Sequence, residues 1–364
     1  MATHIFTSII ANYIPKARVL AHSIKKHYSG AVFHLFLSDA TPAGLKDGRE
    51  PFDRIWTLDD LDLENPRQWI FEHSLVEAST GIKGFALRKL LDMPDCSEVL
   101  YFDPDIIVLN RLDSILAHFG SASILLTPHL TEAETTREAI LDNEICALQH
   151  GIYNLGFLGV KKSREGQRFA AWWASRLEQF CFDDIPRGLF TDQRWIDLVP
   201  AFFTDYAILR DPGYNVCTWN LTHRKVTGSL TAGLTVNGRP LVFYHFSGLD
   251  GGAQEGMLKK YGASMPALYE LRRWYLGECD RMGQQELSAI PWKYASFDNG
   301  EPITARHRAL YRERADLRSA FPDPFATADV KRSFYHWFEA NGESKRNRRR
   351  RWWQAIGTSR ALII

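Results

Sequence analysis

Two aspartates one residue apart, Asp103 and Asp105, interrupt an otherwise apolar run over residues 99–109. Burying two carboxylates beside β-structure is costly unless a partner neutralises them. Pro104 between them lacks a backbone donor, so a sheet ladder cannot pass through that point. The pattern predicts a strand that ends at a sheet edge and presents both acids there. Paired carboxylates suit a hard divalent cation, which takes oxygen ligands and keeps positions open for phosphate oxygens. Such a cation would neutralise charge on a leaving diphosphate. A solvated turn with two surface aspartates is the plainer alternative, and D-x-D alone does not choose between them. The apolar flanks favour the metal.

The elements that would position these acids alternate. Residues 5–10, 31–37, 54–58 and 98–102 read as short apolar strands. Residues 15–28, 66–78 and 85–91 carry helical spacing, with Ala17, Leu20, Ala21 and Ile24 on one face of the first. Strands alternating with helices predict a layered α/β sheet, mostly parallel, flanked by helices. In such sheets ligands bind beyond the carboxyl ends of the strands. No G-x-G-x-x-G follows the first strand and no P-loop occurs, which removes support for a dinucleotide oxidoreductase or a P-loop kinase. A turn-rich stretch at 296–302 opens an arginine-rich helical segment at 304–320. The expected organisation is a catalytic domain over 1–290, a helical C-terminal extension over 291–340, and a basic aromatic tail over 341–364.

The chain has 364 residues, of which 45% are hydrophobic and 24% charged, enough for a large core and close to an ordinary globular composition. Its net charge of +1 provides no global field for nucleic acid, so no nucleic-acid partner is expected. Cys96, Cys146, Cys181, Cys217 and Cys279 are dispersed and form no C-x-x-C pair, which argues against a zinc site or a disulfide framework. The apolar start is too short to span a bilayer and lacks a signal-peptide pattern. A cytoplasmic protein is the expectation.

Residues 100–108 resemble the D-x-D strand of GT-A glycosyltransferases, nearest to glycosyltransferase family 8, which includes glycogenin and the lipopolysaccharide galactosyltransferases. Further motifs follow in that family's order across roughly residues 4–250. Asn12-Tyr13 after the first strand resembles its N-Y beside the nucleotide base. Tyr153-Asn154-Leu155-Gly156 resembles the N-x-G segment lining the donor sugar. Thr191-Asp192-Gln193 resembles the D-Q motif near the reacting carbon, and His245-Phe246-Ser247-Gly248 the H-x-x-G motif. The resemblance implies a GT-A fold, Asp103, Asp105 and His245 as ligands of Mn2+ or Mg2+, and a nucleotide-diphosphate sugar as donor. Thr7, Asn12, Tyr13, Arg88, Lys89, Asp103, Asn154, Gly156 and Gly248 would contact that donor, with Lys83 a lesser basic candidate. Asp192 and Gln193 would be catalytic, the acceptor a saccharide or lipid-linked sugar of surface polysaccharide or lipopolysaccharide assembly, and the outcome retention.

The residues have readings of their own. His245 ends the apolar run 241–244, and an imidazole with two carboxylates suits manganese. Gly156 allows a ligand close to the backbone, or marks a strand bulge. Asp192 could equally cap a helix. Adjacent Arg88 and Lys89 cannot share one helical face.

The chain also departs from the family. Ile10-Ala11 stand where it carries a base-reading acid, so the nucleotide is open. Residues 249–252 lack its phosphate-binding lysine, for which Lys259 or Lys260 could substitute. Asp192 or Asp250 would be the base of an inverting enzyme. Lys345 to Trp353 is a basic-aromatic stretch suited to an anionic membrane surface, which would make the protein peripheral on the inner face. A sugar-phosphate nucleotidyltransferase or a degenerate carbohydrate-binding protein are the rival readings. The first would need a Gly-rich basic loop after the first strand, which residues 7–13 do not contain.

Overall fold

The computed structural model describes residues 1–45 and 48–342, so the basic-aromatic stretch 345–353 lies outside the described residues. Two compact units divide the chain: Met1–Leu63 with Leu75–Trp292, and Glu64–Ser74 with the residues from Lys293 onward. The second unit gathers Pro66–Glu72, Ala305–Glu313, Ala315–Ala320 and Phe334–Asn341. Its centre is aromatic, with Tyr311, Phe325 and Phe334 all set edge-on to Phe71 at ring distances of 5.0–5.4 Å.

The first unit is the expected layered α/β structure. Its strands, in chain order, are β1 (Ala2–Ile9), β2 (Val32–Leu37), β3 (Arg54–Trp56), β4 (Cys96–Phe102), β5 (Ile106–Val108), β6 (Ile124–Pro128), β7 (Tyr153–Lys161), β8 (Asp183–Asp184), β9 (Leu189–Phe190), β10 (Tyr206–Ile208), β11 (Val226–Ser229), β12 (Gly233–Val236), β13 (Arg239–Pro240) and β14 (Phe243–His245). Seven form the main sheet in the order β10-β6-β7-β4-β1-β2-β3. All run parallel except β7, which pairs antiparallel with both β4 and β6. β1, β2 and β4 are buried on both faces, and even polar members such as Thr7 and His34 are enclosed.

One helix differs from its sequence pattern. Helical spacing separates 66–78 from 85–91, but the helix Pro66–Glu72 ends before His73 turns extended, and a single helix runs over Leu75–Asp92. Gly81 and Gly84 lie inside it. A Cβ on Gly84 would stand 2.7 Å from Cα of Ala174, on the helix Arg164–Phe180. The glycine is therefore a close-packing position between two helices and not a breaker. No helix among the described residues is long and apolar enough to cross a membrane.

Candidate functional site

β1 and β4 lie side by side and parallel, so their carboxyl ends open at one edge, and β7 enters beside β4 from the opposite direction. Asp103 leaves β4, and its backbone N–H donates to Gly156 of β7 at 2.8 Å. After Pro104 the chain resumes as β5, which pairs antiparallel with β14 so that His245 stands opposite Ile106. The backbone N–H of Phe246 closes the pair on the Asp105 carbonyl at 2.9 Å. This two-stranded ribbon carries a histidine 140 positions downstream to the acids.

Ligand atoms of Asp103, Asp105 and His245 all lie within 4.8 Å of one another. His245 Nε2 is 3.1 Å from Asp105 and 3.7 Å from Asp103. Burial, the largest single influence, pushes the imidazole down, but Asp105 and Asp103 together hold the ring above the ordinary value. Burial likewise would raise Asp105, and His245 pulls it below the usual carboxylate range. Two hard oxygens and one imidazole nitrogen this close together form a donor set that manganese accepts. The site therefore fits a divalent metal.

Lys83 supplies the counter-charge. Its ammonium is 3% exposed and lies 3.2 Å from Asp103 and 2.9 Å from Asp192. Burial opposes that charge, yet Asp103 and Asp192 hold the pKa well above the lysine norm. The Tyr101 hydroxyl also donates to Asp103. Lys83 shares a helical face with Val76 and Thr80, and all three line the cavity around the acids.

That cavity has two lobes that meet at Asp103 and Lys83. The larger, about 380 Å³, is walled by Asn154, Asp192, Gln193, His129 and Trp219. The smaller, about 190 Å³, is lined by Ser8, Ile10, Tyr13 and Asp105. Thr191, just before Asp192, adopts φ +44°, a left-handed conformation unusual for a β-branched residue and a common sign of a constrained site.

Several expected site residues are placed otherwise. Arg88 reaches Asp62 at 3.2 Å and Lys89 lies over the Trp56 ring, so neither joins the acids; the basic residue there is Lys83. Lys259 pairs with Glu255 and Lys260 with Glu138 and Asp142. Thr7 and Asn12 do not line the cavity, and Thr7 Oγ1 and Asn12 Oδ1 are buried with no hydrogen-bond partner among the described residues. Tyr13 does line it. Gly248 forms the turn after β14 at φ +76°.

Gly156 leaves room for a side chain of the protein itself. A Cβ there would stand 2.5 Å from Cε1 of His245 and 2.6 Å from its Nδ1. Asn154 accepts from Gly156 N–H at 3.0 Å and from Asn215 at 2.8 Å. Gln193 uses both ends of its amide, accepting from Leu155 N–H at 2.9 Å and donating to the His150 carbonyl at 3.0 Å. Asp192 is not a cap, because the next 3-10 turn begins after Gln193 and its carboxylate is turned to Lys83. Burial raises Asp192 first, with Lys83 acting against that.

Sequence reasoning missed His129, Asn215 and Trp219. His129 follows the apolar strand β6 as Asp103 follows β4, a signal the same reading could have used. Asn215 takes φ +49° and bonds Thr127 and Asn154, a role that only the fold reveals.

No family model matches the chain. It is 27% identical over 157 residues to the uncharacterized protein YfnF of Bacillus subtilis (strain 168), covering 43% of this chain and 50% of that one. It is 24% identical over 255 residues to YfnD of the same organism, covering 68% and 78%. The match to YfnF thus spans half of that relative's length. Among solved structures it is similar to the galactosyltransferase LgtC in complex with donor and acceptor sugar analogs, with TM-score 0.41, 15% identity, and 79% and 97% of the two chains covered. Mouse xyloside xylosyltransferase 1 in its apo form gives TM-score 0.38 and 16% identity over 68% of this chain and 98% of that one.

Proposed function

We propose that the chain is a metal-dependent glycosyltransferase of the GT-A type, moving a sugar from a nucleotide-diphosphate sugar to a saccharide or lipid-linked acceptor. The observation that carries this is the convergence of Asp103, Asp105 and His245 from distant parts of the sequence within 4.8 Å. These three would hold Mn2+ or Mg2+, which when bound supplies Lewis-acid neutralisation of the departing diphosphate. Lys83 bridges Asp103 and Asp192 and holds both in place. Tyr13 and Ile10 wall the smaller lobe, which suits a nucleoside; Asn154 and the clamped Gln193 wall the larger, which suits sugars. Rate enhancement then comes mainly from positioning and fixed charges.

Retention at the anomeric carbon is the stereochemistry we propose. An inverting enzyme needs a carboxylate free to take the acceptor's proton. Asp192 is 2% exposed and ion-paired with Lys83. Asp250 lines neither lobe of the cavity. Against a nucleotidyltransferase, β1 passes straight into the turn Ala11–Tyr13 with no glycine. The tail at 345–353 is proposed to bring the protein to anionic membrane; failure of anionic liposomes to retain it at low salt would remove that part.

Screening nucleotide-sugars with manganese tests the whole reading. A true donor at about 100 times its Kd raises stability by about 2.7 kcal/mol. The same donor should be turned over by the wild type and not by Asp105→Ala. Binding without turnover would instead indicate a degenerate carbohydrate-binding protein.

A further inference from the structure

Lys16, on the helix Ile14–His27, has a buried side chain, 4% exposed, whose ammonium is paired with a carboxylate that faces solvent. Its Nζ lies 2.7 Å from Asp250 Oδ1 and 4.2 Å from the centre of the Tyr13 ring, and the Tyr13 hydroxyl donates to the same carboxylate. Asp250 is 51% exposed. It sits in the loop 247–252 between β14 and the helix Ala253–Tyr261. Gly248 and Gly252 take φ +76° and +77°, and a Cβ on Gly251 would meet nothing within 4 Å. This segment can be re-aimed at little steric cost.

Tyr13 lines the smaller lobe together with Asp103 and Asp105, and Lys16 and Asp250 lie against its ring and hydroxyl, behind that wall. Lys16 is also one of the charges that stabilise ionised Asp105. The other lysine of the site cannot serve an incoming anion, since Lys83 is shared by Asp103 and Asp192. A diphosphate entering this lobe brings several negative charges and needs a cation of its own. Lys16 is positioned to be that cation once its carboxylate cap moves aside.

We propose that Lys16 binds the donor's diphosphate and that Asp250 is its displaceable counter-ion, a loop carboxylate that occupies the ammonium until phosphate oxygens replace it. Phosphate carries more charge and more acceptor oxygens than a carboxylate, so the exchange favours the ligand. The carboxylate half of the pair is half-exposed, so on leaving Lys16 it passes to water. The identity of the anion rests on the proposed function; the exchange itself rests on these charges and this loop.

Titration calorimetry with manganese pyrophosphate, and with manganese complexes of the nucleoside diphosphates, tests it on the full chain. Asp250→Asn should tighten pyrophosphate binding by about two- to fivefold, the worth of a half-exposed pair. Lys16→Met should weaken it by roughly tenfold or more. The double variant should match Lys16→Met alone, because no ammonium remains to be released. Unchanged or weaker binding in Asp250→Asn would overturn the proposal, since a merely structural latch cannot gain affinity when cut. That variant decides the matter even if Lys16→Met fails to fold. Lys16-dependent binding of pyrophosphate without binding of any nucleoside diphosphate would remove the donor reading and keep the anion exchange. A wild type that binds neither overturns both.

Discussion

Gly156→Ala adds one methyl group, and its surroundings determine what that methyl does. The new Cβ would stand 2.5 Å from His245 Cε1, 2.6 Å from Nδ1 and 2.8 Å from Asn154 Oδ1, whereas ordinary contact begins at 3.4 Å. The imidazole and β7 must therefore part by about 0.9 Å. Neither yields easily. His245 is fixed by its ladder to β5 and by an N–H bond of 2.8 Å to Val216, and Trp219 stands edge-on to its ring. Gly156 is fixed by its 2.8 Å bond from Asp103. Overpacking of this kind costs about 1–3 kcal/mol. The displacement that relieves it moves Nε2 off the acids, and a ligand misplaced by about 1 Å loses roughly 100-fold in function. Manganese affinity measured by electron paramagnetic resonance should fall by about 10- to 100-fold, as when a ligand's support is removed. In a His245→Ala background the same methyl should cost less, only the Asn154 contact remaining, giving a coupling above about 1 kcal/mol in a double-mutant cycle. Wild-type manganese affinity in Gly156→Ala, or an equal penalty in both backgrounds, would refute the reasoning.

Lys83→Met should destabilise the fold by about 3–5 kcal/mol in urea, because Asp103 and Asp192 lose their shared cation, and adding Asp192→Asn should recover part of that. A single-variant loss below about 1 kcal/mol, the worth of a surface pair, would contradict it. Manganese takes the neutral imidazole, so affinity should fall as pH drops through a midpoint above the ordinary histidine value of 6.5. A flat profile between about pH 6 and about pH 8 would oppose this. Without metal the sign reverses for His245: its stabilisation is complete below the unfolded pKa and fades as pH rises through the raised folded one. Asp105, being lowered, contributes above its unfolded pKa and loses that contribution as pH falls through the folded one. Gly84→Ala should cost about 1–3 kcal/mol from its contact with Ala174, although helix propensity alone would predict a gain of about 1 kcal/mol; thermal unfolding gives the sign.

The acids were legible because their cost in an apolar strand demands a purpose, and a proline between them ends the ladder. That His245 joins them was legible only as one motif in an ordered series, since nothing local to residues 241–245 specifies pairing with β5. The basic residue was misplaced for a geometric reason. With helical spacing read only over 66–78 and 85–91, Lys83 falls between two helices while Arg88 and Lys89 sit on the second. In the continuous helix, at about 100° per residue, Arg88 is turned roughly 140° from Lys83 and Lys89 about 240°. Gly156 suggests either a ligand close to the backbone or a strand bulge; the group that lies against it is His245, a contact between two strands that sequence spacing does not encode. The left-handed Thr191 and Asn215 were invisible for the same reason: tertiary packing, not residue type, imposes their φ.

Manganese anomalous diffraction from crystals grown with the cation and a bound nucleoside diphosphate tests the centre of this account most directly. The account predicts one peak at about 2.0–2.3 Å from a carboxylate oxygen of Asp103, one of Asp105 and Nε2 of His245, with diphosphate oxygens at the remaining positions. A peak elsewhere, or none while His245 and Asp105 keep their direct contact, would contradict it.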